Sequence, residues 1–68
     1  MFIVMPPDVD GEKVAVNFAN VGVFGVEGNF LTILPSYGTE DYCIEYADAE
    51  KAEEVCNQLI TQLGAARL

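Results

Sequence analysis

Sixty-eight residues are enough for a single small domain, 1–68, and they carry eleven Asp and Glu against three Lys and Arg, no histidine, and a formal net charge of -8. That imbalance repels nucleic acid and anionic lipid and steers the chain toward basic partners, and the missing imidazole removes the usual base for a serine or cysteine nucleophile. Apolar residues make up 51% of the chain, too many for an acidic disordered tail, so a folded domain is expected even though a chain of this size buries only about 60% of its unfolded surface.

The N-terminal half reads as strands rich in Val, Ile and Phe, bounded by turn residues. The first runs from Phe2 to Met5 and stops at Pro6-Pro7. It has no basic leader and is too short for a signal-peptide core, which makes a cytoplasmic location the expectation. Pro6 to Glu12 reads as a loop, and Lys13 to Phe18 as the second strand. Ala19-Asn20 suits a short reversal before a third strand, Val21 to Val26. Glu27-Gly28-Asn29 then predicts a tight hairpin into a fourth strand, Phe30 to Leu34, because Gly and Asn tolerate positive φ. Asn17, Asn20, Glu27 and Asn29 interrupt the apolar stretch from Val14 to Leu34, so it does not read as a membrane span.

A second turn, Pro35 to Asp41, precedes a fifth strand, Tyr42 to Tyr46, which alternates Tyr42, Ile44 and Tyr46 on one face with Cys43 and Glu45 on the other. From Asp48 the apolar period changes to 3.6. Ala52, Val55, Cys56, Leu59, Ile60 and Leu63 form one helical stripe, with Asp48 placed as N-cap and Gly64 as C-cap. The expected fold is therefore α+β: a small antiparallel meander of four to five strands with one C-terminal amphipathic helix packed on one face. The opposite face is expected to hold several of Ile3, Met5, Ala15, Phe24, Val26, Leu31, Ile33 and Cys43, which points to self-association as a homodimer or to partner binding there.

Patterns that suggest chemistry fail on spacing. Asp8-Val9-Asp10-Gly11-Glu12 lacks the ligand positions of a calcium loop, and Gly22, Gly25 and Gly28 match no phosphate-binding signature, so they read as bulges or close approaches. Glu40-Asp41 beside Tyr37 and Tyr42 offers a carboxylate pair without a visible cleft to set its pKa values apart. Cys43 and Cys56 have neither the spacing nor the histidines of a zinc site and are expected to be free, buried thiols. No enzyme activity, metal or cofactor is expected, and no direct contact with nucleic acid or membrane.

The acids are the suggestive residues. Asp8, Asp10, Glu12, Glu27, Glu40 and Asp41 fall in turns, and Asp48, Glu50, Glu53 and Glu54 on the first helical turns, with Tyr37 and Tyr42 as aromatic anchors. In size, acidity and a strand-rich layout closed by one helix, the chain resembles the small phage-encoded inhibitors of nucleic-acid enzymes, including DNA-mimicking anti-CRISPR proteins. The segment Tyr46-Ala47-Asp48-Ala49-Glu50-Lys51-Ala52-Glu53-Glu54 is similar to the strand-to-helix ending of many small bacterial and prophage proteins. The resemblance implies a competitive blocker of a basic, nucleic-acid-binding protein; no residue is carried over from it, and the placement of the acids and tyrosines in the sequence makes Asp8, Asp10, Glu12, Glu27, Tyr37, Glu40, Asp41, Tyr42, Glu50, Glu53 and Glu54 the expected contact set. The alternative is an adaptor module that homodimerises through an apolar sheet face, its acids serving solubility.

Overall fold

The computed structural model describes residues 2–36 and 41–64. Its elements in chain order are β1 (Phe2–Val4), β2 (Ala15–Asn17), a 3-10 turn (Phe18–Asn20), β3 (Val21–Glu27), β4 (Phe30–Pro35), β5 (Tyr42–Glu45) and α1 (Ala49–Leu63). The protein is α+β, with antiparallel strands and one C-terminal helix. The five strands form two sheets, the β1–β2 pair and a three-stranded sheet ordered β3-β4-β5. The break between them falls at the 3-10 turn, where the Asn17 side chain accepts a hydrogen bond from the Ala19 N–H at 3.1 Å. Asn17 thereby satisfies a backbone donor that would otherwise continue a ladder.

The β3–β4 connection is a two-residue hairpin, since Glu27 pairs with Phe30. Gly28 has φ +62° while Asn29 stays at negative φ, the pattern of a II′ turn with Gly first. The strand register shifts between Val21 and Val23, so Gly22 sits at a local irregularity, as bulge glycines do. At the helix, Asp48 Oδ1 accepts from the Lys51 N–H at 2.8 Å. Gly64, with φ 68°, closes the last turn by donating its N–H to the carbonyls of Ile60 and Thr61.

The helix and the β1–β2 pair share one core on the inner face of the three-stranded sheet. Ile3, Met5, Leu31, Ile33, Ile44, Tyr46, Ala52, Val55 and Leu59 are buried there. Of the expected helical stripe, Ala52, Val55 and Leu59 are buried, while Cys56, Ile60 and Leu63 are half-buried at its margin. Phe24 and Val26 also pack against the core, and Phe18 meets Phe24 edge to face with ring centroids 5.8 Å apart, a favoured aromatic geometry.

This arrangement corrects the expected composition of the open face. Ile3, Met5, Leu31 and Ile33 all point inward, because β1 turns onto the helix side and adds to the cover that α1 provides. The outer face of the three-stranded sheet instead exposes Val23, Phe30 and Leu34. Cys43 faces outward and is exposed, whereas Cys56 is half-buried, and the two are not joined in a disulfide. The expectation of a buried thiol therefore fails at Cys43, which alternates with the core residue Ile44 along β5 and so must face the other way.

Candidate acidic interface

Three segments meet at one end of the molecule: the loop after β1, the β3–β4 turn and the end of β5. Asn29 ties the last two together. Its carbonyl accepts from the Tyr46 N–H at 2.9 Å, and its Nδ2 donates to the Tyr46 carbonyl at 3.0 Å and to Glu45 Oε2 at 3.4 Å. The loop is fastened to the same place, since the Val9 N–H donates to the Glu45 carbonyl at 2.8 Å and the buried Tyr46 hydroxyl donates to the Pro6 carbonyl at 3.2 Å. Within the loop, Asp8 Oδ1 accepts from the N–H groups of Asp10 and Glu12 at 2.8 and 2.9 Å. Asp8 thus acts as a local backbone mimic that closes the turn.

The carboxylates of Asp8, Asp10, Glu12, Glu27 and Glu45 are consequently carried by one hydrogen-bonded frame. Asp10, Glu12, Glu27 and Glu45 are exposed and Asp8 is half-buried. Burial of the ring, and secondarily the negative charge of Asp8, push the Tyr46 phenol above its ordinary value. Chemically the array offers hydrogen-bond acceptors and negative charge and complements guanidinium or ammonium groups, the former in paired contacts. Among the described residues, no three of the acids and cysteines converge as metal ligands.

The other expected contact residues lie elsewhere. Asp41 and Tyr42 are exposed at the start of β5, the opposite end of that strand from Glu45. Tyr42 borders a cleft with Val14, Val16 and Ile33. Glu50, Glu53 and Glu54 are exposed on the outer side of α1, where they line a shallow depression with Asn57, Gln58 and Thr61. Tyr37 and Glu40 lie outside the described residues. Lys51 Nζ approaches Glu54 Oε1 at 3.6 Å, the one ion pair among the described residues, and both side chains are about half exposed, so it contributes little.

Glu45 belongs to the acidic end but was not among the expected contacts. The alternation along β5 already directed it away from the core, yet its place beside the β3–β4 turn depends on the Phe30–Glu45 register, which composition does not reveal. A cleft between β1 and α1, about 130 Å³, is well below the size of small-molecule sites. No helix among the described residues is long and apolar enough to cross a membrane. No family model matches the chain, and neither a curated protein nor a solved structure does.

Proposed function

We propose that this chain is a non-enzymatic binding protein whose acidic surface occupies a basic, nucleic-acid-binding surface of a larger protein and competes with the nucleic acid for it. The observation that supports this reading is the acidic end: Asp10, Glu12, Glu27 and Glu45 stand exposed on a frame fastened by the Val9–Glu45 and Asn29–Tyr46 hydrogen bonds. The described acids are balanced by only two described cations, Lys13 and Lys51. An array of this kind accelerates encounter with a basic groove and sets its salt dependence. Glu50, Glu53 and Glu54 extend the negative field along α1, and Tyr42 supplies an aromatic contact at the far end of β5. Inhibition of a phage-defence nuclease, in the manner of anti-CRISPR proteins, is the finer form of the proposal.

The test is retention of proteins from a bacterial lysate on the immobilised chain, eluted by salt and separately by excess duplex DNA. Nucleic-acid-binding proteins released by both eluents are expected. Retention only of proteins that resist salt and ignore DNA would defeat the proposal. The second reading is an adaptor that dimerises through the sheet face exposing Val23, Phe30 and Leu34; Glu27 and Glu45 on that same face oppose it.

A further inference from the structure

We infer that the open face of the β3-β4-β5 sheet is the seat of a basic amphipathic helix belonging to the partner. This rests on the reading of the chain as a binding protein for a basic partner, and adds where and how that partner docks.

The strand register arranges the face in three ranks. Val23 stands beside Leu34 at one end, and Gly25, Thr32 and Cys43 cross the middle. Glu27, Phe30 and Glu45 form the rank at the acidic end. Val23 is 63% exposed, Phe30 40% and Leu34 38%, whereas Leu31 and Ile33, which alternate with them on β4, are buried. The middle rank is small: a Cβ built on Gly25 would meet nothing within 4 Å, and Thr32 and Cys43 lie 3.8 Å apart through Oγ1 and Sγ. The face is therefore a saddle, low across the middle and raised by apolar side chains at both ends.

Its dimensions suit one helix. Three strands are roughly 10 Å across, close to the width of a helix, and the six residues of β4 extend about 20 Å, matching three to four helical turns. On the inner face α1 already uses the same sheet in this way.

Charge selects the occupant. The face is apolar at one end and carries Glu27 and Glu45 around Phe30 at the other, so an apolar stripe accompanied by lysine or arginine complements it. A second copy of this chain does not. Its own helix has its apolar stripe turned to its core and presents Glu50, Glu53 and Glu54 outward. Stacking two open faces would bury Glu27 and Glu45 without a cation, which is strongly unfavourable.

The experiment uses the full chain, isotopically labelled, and three synthetic helical peptides: a leucine-lysine peptide with one apolar stripe, a scrambled peptide of the same composition, and a leucine-glutamate peptide. Amide shifts and affinities are read by NMR titration, and oligomeric state by sedimentation. The striped basic peptide is expected to shift the amides of Val23, Gly25, Thr32 and Leu34 and to bind at least about tenfold more tightly than the scrambled one. Phe30→Ser and, separately, Val23→Ser are expected to weaken it by a similar factor; both side chains are well exposed, and circular dichroism verifies that each variant is folded. Equal binding of the striped and scrambled peptides, or shifts confined to the outer side of α1, overturns the docking face and leaves the charge-based reading standing. Equal binding of the leucine-glutamate peptide overturns the basic occupant. Failure of every lysine peptide to bind overturns the charge-based reading as well. A dimer whose contact covers the same amides replaces the partner helix with a second copy.

Discussion

Leu59→Ala and Leu31→Ala remove the same three carbon atoms from the same core, yet they should not have the same effect. Transfer of those carbons accounts for roughly 2.4 kcal/mol in each case, at about 0.8 kcal/mol per group. The difference lies in what fills the vacated space. Leu59, 2% exposed, borders the cleft between β1 and α1 together with Ile3, Met5 and Val55. Gln58 and Gln62 line the same cleft, and long side chains beside an existing cleft can relax into the vacated space, so the cavity contribution is small and the expected loss is about 2.5 to 3 kcal/mol. Leu31 is 0% exposed and is flanked on its sheet by Val26 and Ile44. An enclosed void there adds a cavity contribution that brings the loss to about 3.5 to 5 kcal/mol. Whole domains have about 0.05 to 0.15 kcal/mol of stability per residue, so 68 residues leave little reserve, and the Leu31 variant should be largely unfolded. Urea titration followed by far-ultraviolet circular dichroism measures both. With a slope of about 1 kcal/mol per molar, the Leu59 midpoint should fall by about 2.5 M. A fall of less than about 0.5 M, or a Leu59 variant less stable than the Leu31 variant, would refute the account of how the core is closed.

Tyr46 is held in its neutral form by burial and by the nearby Asp8 charge. Because its folded pKa lies above the unfolded value, its contribution is fully present below about pH 10 and is lost as pH rises through the raised folded value. Tyr46→Phe should therefore lose about 0.5 to 1.5 kcal/mol near neutrality with the Pro6 hydrogen bond, and its melting temperature should fall less steeply than the parent's above about pH 10; equal slopes would contradict this. Asp8→Ala removes an acceptor of two loop N–H bonds and should lose about 1 kcal/mol or more, whereas Asp10→Ala should stay within about 0.5 kcal/mol, as chemical denaturation of the pair will show. Neutralising the acidic end with Asp10→Asn, Glu12→Gln, Glu27→Gln and Glu45→Gln should raise the melting temperature at low salt while slowing association with a basic partner and flattening its salt dependence. Calorimetry and stopped-flow kinetics at several ionic strengths check the two halves separately.

Much of the fold was legible because its signals are local. Asp48 and Gly64 bracket the helix as the residue types require, and the change of period at Asp48 marks its start. Glu27-Gly28-Asn29 forms the expected hairpin because Gly28 takes the positive φ. What was not legible depends on contacts distant in sequence. Nothing in Phe2 to Met5 says that Ile3 and Met5 will face the helix, since that depends on the chain breaking at Phe18–Asn20 and on the Pro6–Glu12 loop binding the end of β5. The candidate site divides in the same way. Composition identified the acids, but the gathering of Asp8, Asp10, Glu12, Glu27 and Glu45 at one end, with Asp41 and Tyr42 at the other end of β5, follows from strand register. Asp8 carries a structural role that its side-chain type permits and only its hydrogen bonds reveal.

Solubility alone is a weak explanation for the acidic end. Carboxylates that only keep an apolar chain in solution serve equally well anywhere on the surface, and like charges gathered together oppose folding by mutual repulsion. Here the segments that carry the acids are also tied to one another by hydrogen bonds. The Asp8 carboxylate closes the loop that carries Asp10 and Glu12, the Val9 N–H fixes that loop to Glu45, and Asn29 fixes Glu45 and Tyr46 to the hairpin that carries Glu27. Acids on mobile surface segments would solubilise as well and repel less. Acids on a rigid frame lose less conformational freedom when a partner engages them. The adjoining sheet face leaves Phe30 exposed between Glu27 and Glu45, an apolar centre with a charged rim of the kind seen at specific interfaces. Recognition of a cationic partner, as proposed, would give this concentration of repulsion beside an uncovered aromatic ring a use that solubility does not require.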